Sequence, residues 1–178
     1  MREMSVYGVS FDLASKQPIV LLKTADAETF LPIWIGHSEA AAILLKLQGT
    51  EPPRPMTHDL ACALVDALSG EIVRVAVTEL RENTFHAQIT LSQNGSEVEV
   101  DSRSSDAIAI ALRAGATIFA SDEVLEESGV EFEDGEPDFE QIHVAEGEDE
   151  VDWSAFRQFL DTVTPDEFAI DDDESASS

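Results

Sequence analysis

The sequence predicts an α+β fold, in which about three helices pack on a mixed, largely antiparallel sheet. Three observations lead to this prediction. Short apolar, β-branched segments alternate with polar turns, a pattern typical of hairpin strands. Three other segments repeat apolar residues with the helical period of 3.6. From residue 129 onward the chain is acidic and, up to about residue 152, aperiodic, which predicts a mostly disordered tail after a core domain of residues 1–128.

The N-terminal segment predicts three strands and a helix. Residues 3–12 and 18–24 are apolar and are separated by a polar turn, so they predict a hairpin. Residues 29–35 predict a third strand, in which Pro32 favours an edge position or a bulge. Apolar residues at helical spacing then predict a helix over residues 37–48.

A second helix is predicted over residues 58–68. The preceding residues 50–56 contain three prolines in four positions, which remove hydrogen-bond donors and force an extended chain. Thr57 is a suitable N-cap, and Gly70 is a suitable stop. The predicted buried face consists of Leu60, Ala61, Leu64, Val65 and Leu68.

The second half of the core predicts a meander followed by a helix. Alternating residues predict strands over 71–80, 83–91 and 97–101, joined by turns at Glu82-Asn83 and Asn94-Gly95. A third helix over residues 105–113, a strand over 116–120 and an acidic helical turn around 121–127 complete the core.

The charge of the chain is strongly negative and unevenly distributed. The formal net charge is −27, of which residues 1–128 carry −10 and residues 129–178 carry −17. Such a chain repels a polyphosphate at long range, and no Lys/Arg stripe supplies counterion release. Charge alone therefore argues against nucleic acid as a partner.

The sequence has no predicted membrane span or signal peptide and has only one cysteine. No stretch approaches the ~20 apolar residues that span a bilayer, and the N-terminus has no signal-peptide pattern. We therefore expect a cytoplasmic protein that does not bind a membrane. The single cysteine, Cys62, excludes an internal disulfide and a cysteine-based zinc cluster.

The acidic tail contains one segment with helical spacing. Apolar residues in it predict a short amphipathic helix near residues 152–163, which could dock on a protein partner. These residues are Trp153, Phe156, Phe159, Leu160 and Val163.

The first candidate for chemistry is the segment from Arg54 to Asp59. Arg54 lies on a proline-stiffened chain just before a helix N-terminus, a suitable place for a phosphate. His58 could act as general acid or base, with Asp59 orienting it or holding a cation. The competing explanation is that Thr57 and Asp59 simply cap the helix and His58 is exposed.

A second candidate lies between a strand and a helix, from Asp101 to Asp106. Two carboxylates that flank Arg103 suit a divalent metal and a phosphate clamp. Capping by Ser104 or Ser105 is the alternative, but it does not account for Asp101 and Arg103. A third, weaker candidate is the helix start with His37 and Glu39, where capping by Ser38 is the simpler explanation.

Taken together, these motifs resemble the bifunctional nuclease domain family. The segments LPIWIGHSEAAAI, RPMTHDL, TFHAQITL and VDSRSSDAIAIALR match the family in order and separation, over about residues 4–128. Ser104 stands where relatives often have proline, which removes no functional group.

The resemblance implies an oligomeric nuclease that cleaves RNA and DNA with low sequence specificity. It implies catalytic roles for His58, Asp59, Asp101, Arg103 and Asp106. It implies substrate binding by Arg54, Thr57, Ser102 and Ser105, and a divalent metal, Mg²⁺ or Mn²⁺, held by Glu39, Asp101 and Asp106. The alternative function is a non-enzymatic regulatory or interaction protein whose tail helix docks on a partner.

Overall fold

The computed structural model describes residues 1–12, 17–26, 29–50 and 52–131 of the chain. The predicted tail helix near 152–163 and the tip of the first hairpin lie outside the described residues. The strands are β1 (Arg2–Asp12), β2 (Gln17–Thr24), β3 (Phe30–Trp34), β4 (Gly70–Arg81), β5 (Thr84–Gln93), β6 (Ser96–Arg103) and β7 (Thr117–Ala120). The helices are α1 (His37–Leu47), α2 (Thr57–Ala67), α3 (Ser104–Ala114) and α4 (Asp122–Ser128).

The described strands form one mixed, largely antiparallel sheet, as predicted. Their order is β3-β2-β1-β7-β4-β5-β6, so two antiparallel meanders flank the short central strand β7. Strand β7 runs antiparallel to β1 and parallel to β4. The predicted fold class is confirmed, and the acidic turn after β7 forms a fourth helix, α4.

Turn chemistry explains why the second meander forms. Asn94 and Gly95 have φ angles of 51° and 78°, as a two-residue hairpin of this kind requires. Glu82 and Asn83 adopt φ angles of 51° and 59° in the preceding turn. At the other end of the sheet, Pro32 lies on the outermost strand β3, where its missing N–H breaks no ladder.

The main core lies between one face of the sheet and helices α1 and α3. Helix α3 contacts α1, α2 and the strands β4 to β7. Its alanines let it approach the sheet closely, while Ile108 is completely buried. Burying a side chain of that size stabilises the fold by about 1.5–3 kcal/mol. Helix α3 is therefore the element against which the other two long helices are positioned.

All three predicted serine or threonine N-caps are wrong by one or two residues. Helix α1 is capped by Gly36 rather than Ser38, and α2 by Met56 rather than Thr57. In α2 the carboxylate of Asp59 accepts the backbone N–H of Met56 at 2.8 Å, which satisfies the helix end from inside. Helix α3 is capped by Arg103, because Ser104 and Ser105 are already helical and buried.

The predicted buried face of α2 is wrong for its three leucines. Leu60, Leu64 and Leu68 are 52%, 56% and 70% exposed. The side that faces the protein instead contains buried His58, with Cys62 and Val65 partly buried against the core. Local periodicity favoured the leucines, but the contacts of His58 with α3 determine how the helix is rotated.

Candidate active site

The N-terminal ends of α1, α2 and α3 converge and bring four predicted site residues together. Glu39 lies in the first turn of α1, and His58 lies in the first turn of α2. Arg103 caps α3, and Asp106 lies in its first turn. We call these four residues the helix-end cluster. Helix N-termini favour negative charge, which suits Glu39 and Asp106 at these positions.

Asp106 is the centre of the helix-end cluster. Its Oδ1 atom lies 2.9 Å from Nε2 of His58, and its Oδ2 atom accepts the Nε–H of Arg103 at 2.6 Å. Both carboxylate oxygens therefore have a partner on the ring or the guanidinium. The carboxylate fixes the orientation of the imidazole, as the aspartate does in a Ser-His-Asp triad.

Arg103 links Asp106 to Glu39. Its Nη2 group donates to Oε1 of Glu39 at 2.8 Å, while 66% of the Arg103 side chain stays exposed. A β-carbon at Gly36 would overlap Oε2 of Glu39, so glycine lets the carboxylate lie against the backbone there. The guanidinium is thus held at the surface above two carboxylates.

A second network beside the cluster was missed by sequence reasoning. Arg113 donates its Nε–H to Oδ1 of Asp59 at 2.6 Å and also donates to the carbonyl oxygens of Ala109 and Ala42. Only 6% of the Arg113 side chain is exposed. This arginine therefore ties α1, α2 and α3 together next to His58. The available signal was a single cation on apolar α3, seven residues after Asp106 and so on the same face.

Both aspartates are held in their charged form. Burial by itself would raise the pKa of Asp106, but hydrogen bonds from Arg103 and His58 outweigh it, and the pKa lies below the ordinary value. Burial also opposes ionisation of Asp59, yet the Met56 N–H and Arg113 lower its pKa. The pKa of Arg103 is raised by its bond to Asp106. At neutral pH these residues form ion pairs.

The charges of the helix-end cluster do not form a metal site in this arrangement. Two carboxylates and one guanidinium leave a net charge of −1 when His58 is neutral. The guanidinium lies between Glu39 and Asp106, in the place that a shared cation would take. Within residues 1–12, 17–26, 29–50 and 52–131, no three His, Cys, Asp or Glu side chains are grouped as metal ligands.

The remaining predicted site residues lie around or away from the cluster. Asp101 alternates along β6 with Val100 and Ser102, so its side chain lies on the sheet face away from the helices. In the part of the chain that the structure describes, no ion pair joins Asp101 to the cluster. Ser102 donates to the Arg103 carbonyl at 2.9 Å.

Other predicted substrate-binding residues differ in accessibility. Arg54 and Thr57 are exposed just before and at the start of α2, close to His58 in the sequence. Ser105 is buried in α3 and does not face solvent. Cys62 is partly buried, and burial raises the pKa of its thiol, so it is a protonated packing residue at neutral pH.

Comparison with known proteins shows the family to which this chain belongs. The profile of the bifunctional nuclease domain matches residues 20–133, well over half of the chain. This chain therefore belongs to the bifunctional nuclease domain family.

Its relatives include uncharacterized and named proteins. Uncharacterized proteins from two strains of Mycobacterium tuberculosis are 44% identical over 168 residues, which is 94% of this chain and 98% of theirs. Bifunctional nuclease 1 of Arabidopsis thaliana is 32% identical over 100 residues, covering 54% of this chain and 31% of that protein.

No described helix is long and apolar enough to cross a membrane.

Proposed function

We propose that this protein hydrolyses phosphodiester bonds of RNA and DNA with low sequence specificity. The observation that carries the proposal is the 2.9 Å contact between His58 and Asp106, with the exposed Arg103 on the same carboxylate. Membership of a family named for nuclease activity supports the substrate class.

His58 is the proposed acid–base residue. When Asp106 accepts the Nε2–H, the lone pair of the imidazole is on Nδ1, which can take a proton. DNA has no 2′-hydroxyl, so one mechanism for both polymers cannot use that group, and we propose water as the nucleophile. His58 would deprotonate that water or protonate the leaving oxygen, steps that contribute about 10²–10⁴-fold in rate.

Arg103 is the proposed phosphate clamp. A guanidinium has five N–H donors, and Glu39 and Asp106 use two of them, so three stay available. Charge that develops on phosphate oxygens in the transition state can be stabilised there. Arg54 and Thr57, exposed near the N-terminus of α2, would contact neighbouring phosphates.

A role for Mg²⁺ or Mn²⁺ stays a prediction from the family resemblance. Arg103 bridges Glu39 and Asp106, and Asp101 lies on the other face of the sheet, so we derive no step through a metal. The measurement is cleavage with and without EDTA, followed by Mn²⁺ addition. Loss of activity that Mn²⁺ restores would support a metal, whereas full activity in EDTA would contradict that prediction.

The proposed activity is tested by cleavage of single-stranded RNA and DNA by the full chain and three variants. We expect His58→Ala and Asp106→Asn to lower kcat by about 10²-fold or more. Asp66→Asn, an exposed carboxylate on α2 outside the cluster, is the matched control and should keep wild-type activity. Equal residual activity in all four proteins would indicate a contaminant and overturn the proposal.

The variant Asp101→Asn tests whether Asp101 takes part in the reaction, as the motif from Asp101 to Asp106 predicts, or whether the helix-end cluster acts without it. If the helix-end cluster is the catalytic centre, Asp101→Asn should keep much more activity than Asp106→Asn, because Asp101 lies on the other sheet face. A loss as large as that of Asp106→Asn would show that Asp101 acts in the reaction.

A second candidate function is a non-enzymatic regulatory or interaction protein. It is favoured by the charge, since residues 1–128 carry −10 and Arg103 is already paired with two carboxylates. Under this alternative the protein would bind partners in the cytoplasm, through the tail helix or as a homo-oligomer. Absence of cleavage by purified wild-type protein, with and without Mg²⁺ or Mn²⁺, would favour it.

A further inference from the structure

We propose that the outer edge of β6 binds an extended segment of another protein, one in which apolar and basic residues alternate. Strand β6 is the last in the sheet order, and within the described residues it pairs only with β5. In an antiparallel sheet every second residue of such a strand directs its N–H and C=O outward, so about four residues of β6 offer a ladder.

One side of this edge is apolar. Val98 and Val100 are 52% and 41% exposed. They pair with Leu91 and Ile89, which pack in the main core, so both valines lie on the helix-bearing face of the sheet. The core surface thus continues past the helices onto β6 without a cover from the described residues.

The C-terminal end of helix α2 lies on the same side of the sheet as these valines. The carbonyl oxygen of Leu68 accepts from Gln93 at 2.6 Å, and Gln93 pairs with Ser96 at the start of β6. The exposed Leu68 and Leu64 therefore lie on the same side of the sheet, toward the beginning of the strand. Apolar side chains of an added strand would contact the two valines.

The other side of the edge is acidic. Glu97, Glu99 and Asp101 alternate with the valines and lie on the opposite face. Arg74 pairs with Glu97 at 3.1 Å, and among the described residues no ion pair joins a cation to Glu99 or Asp101. An added strand with Lys or Arg at every second position would place opposite charges beside this row.

The same acidic row argues against a second copy of the chain as the occupant. Two antiparallel β6 strands would bring the carboxylates of both copies onto one face, and like charges opposite each other destabilise a sheet. Charged residues on an edge are a known way to prevent such self-pairing. The acidic row would attract the Lys or Arg side chains of a basic partner strand, whereas it would repel the same row of a second copy.

The test uses the full chain and labelled ten-residue peptides in a fluorescence-anisotropy titration. The probe peptide alternates valine and lysine. One control peptide alternates valine and glutamate, and another has the probe composition with prolines that prevent a strand ladder. We expect the probe to bind about tenfold or more tightly than either control at ~0.15 M salt.

Two variants with the same change in net charge locate the binding. Glu99→Lys places the new charge on the β6 edge, whereas Glu127→Lys places it on the exposed side of α4. We expect Glu99→Lys to weaken probe binding by about tenfold and Glu127→Lys to leave it within twofold. Equal affinities of the two variants would show nonspecific attraction to the acidic chain and overturn the proposal.

Hydrogen exchange distinguishes strand pairing from nonspecific electrostatic attraction, because only pairing protects the backbone amides. Probe binding should slow exchange of amides within residues 96–103, because the added strand pairs with them. No protection there would overturn the proposal. The free protein could instead form a concentration-dependent dimer, detected by sedimentation, in which amides 96–103 are already protected. That result would assign this edge to a second copy and also overturn the proposal.

Discussion

Asp106 and Arg113 show how single side chains hold the candidate active site. Asp106 accepts from His58 and Arg103 and so joins α2 to the start of α3. Arg113 is buried and donates to Asp59 and to the backbone of α1 and α3. Arg103, in contrast, stays mostly exposed although it makes two ion pairs. We therefore expect Arg113 to affect mainly the stability of the protein and Arg103 to affect mainly the proposed cleavage activity.

Asp106→Asn should lower stability at neutral pH and have less effect in acid. The pKa of Asp106 is depressed in the folded protein, so its stabilising contribution is present above the unfolded pKa of about 3.9 and is lost as pH falls through the folded value. We expect a loss of about 1–2 kcal/mol at pH 7. Urea unfolding of both proteins at pH 7 and at pH 3 measures this difference. An equal loss at both pH values would contradict the ionic origin.

Arg113→Met should destabilise the protein far more than Arg103→Met. Removing the buried guanidinium leaves Oδ1 of Asp59 without its ion-pair partner and removes the added hydrogen bonds to the Ala42 and Ala109 carbonyls, at a cost of about 3–5 kcal/mol. Arg103→Met should cost about 0–1 kcal/mol, because this side chain is exposed, while it should reduce the proposed cleavage activity. Urea unfolding and cleavage rates of both variants separate the two effects. Similar stabilities would contradict the assignment of Arg113 as the buried link.

At the scale of elements, α2 is the helix whose orientation is unusual. Its surface side contains leucines, and its protein side contains His58 above Asp106 and Asp59 beside Arg113. Polar contacts with α3, together with the partly buried Cys62 and Val65, therefore set the rotation of this helix. Helix α3 is more conventional, with a buried apolar face and a left-handed C-cap at Gly115, where φ is +68°.

Leu64→Ser should leave stability nearly unchanged, although periodicity alone predicts a core leucine. Leu64 is 56% exposed, so we expect a change within about 0.5 kcal/mol. Ile108→Ala in α3 is the buried comparison and should cost about 2–5 kcal/mol. Thermal or urea unfolding of both variants tests this contrast. A cost for Leu64→Ser close to that of Ile108→Ala would mean that α2 packs with its leucines inward.

For the whole molecule, the dominant property is charge. The chain carries −27, and the helix-end cluster adds no net positive charge to attract a polyphosphate. Residues 132–178 contain 17 acidic residues and one arginine, a net of −16. Cutting the chain after residue 131 keeps the pairing of Val130 with Phe30 and removes most of the negative charge.

The protein cut after residue 131 should bind single-stranded nucleic acid more tightly than the full chain. We expect a gain of about tenfold at low salt, because long-range repulsion is reduced. The difference should shrink at ~1 M salt, where the screening length is only about 3 Å. Affinity measurements at both salt concentrations test this. Equal affinities at both would mean that the charge of residues 132–178 does not oppose binding.

The sequence by itself determined the class of fold, most of the strands and the family. These depend on local signals. The signals are the alternation of side chains along β4 to β6, the Asn94-Gly95 turn, the end of α3 at Gly115, and short contiguous sequence motifs. The edge position favoured by Pro32 is of the same kind, since a missing N–H is a property of one residue.

Only the tertiary structure decided which motif residues meet. Glu39 and Arg103 are 64 residues apart, and His58 and Asp106 are 48 apart, so no local period relates them. The buried Arg113, the outward leucines of α2 and the position of Asp101 on the other face likewise depend on how helices and strands pack. Local patterns specify elements, whereas the rotation of each element is set by contacts between distant parts of the chain, and the candidate active site is made of those contacts.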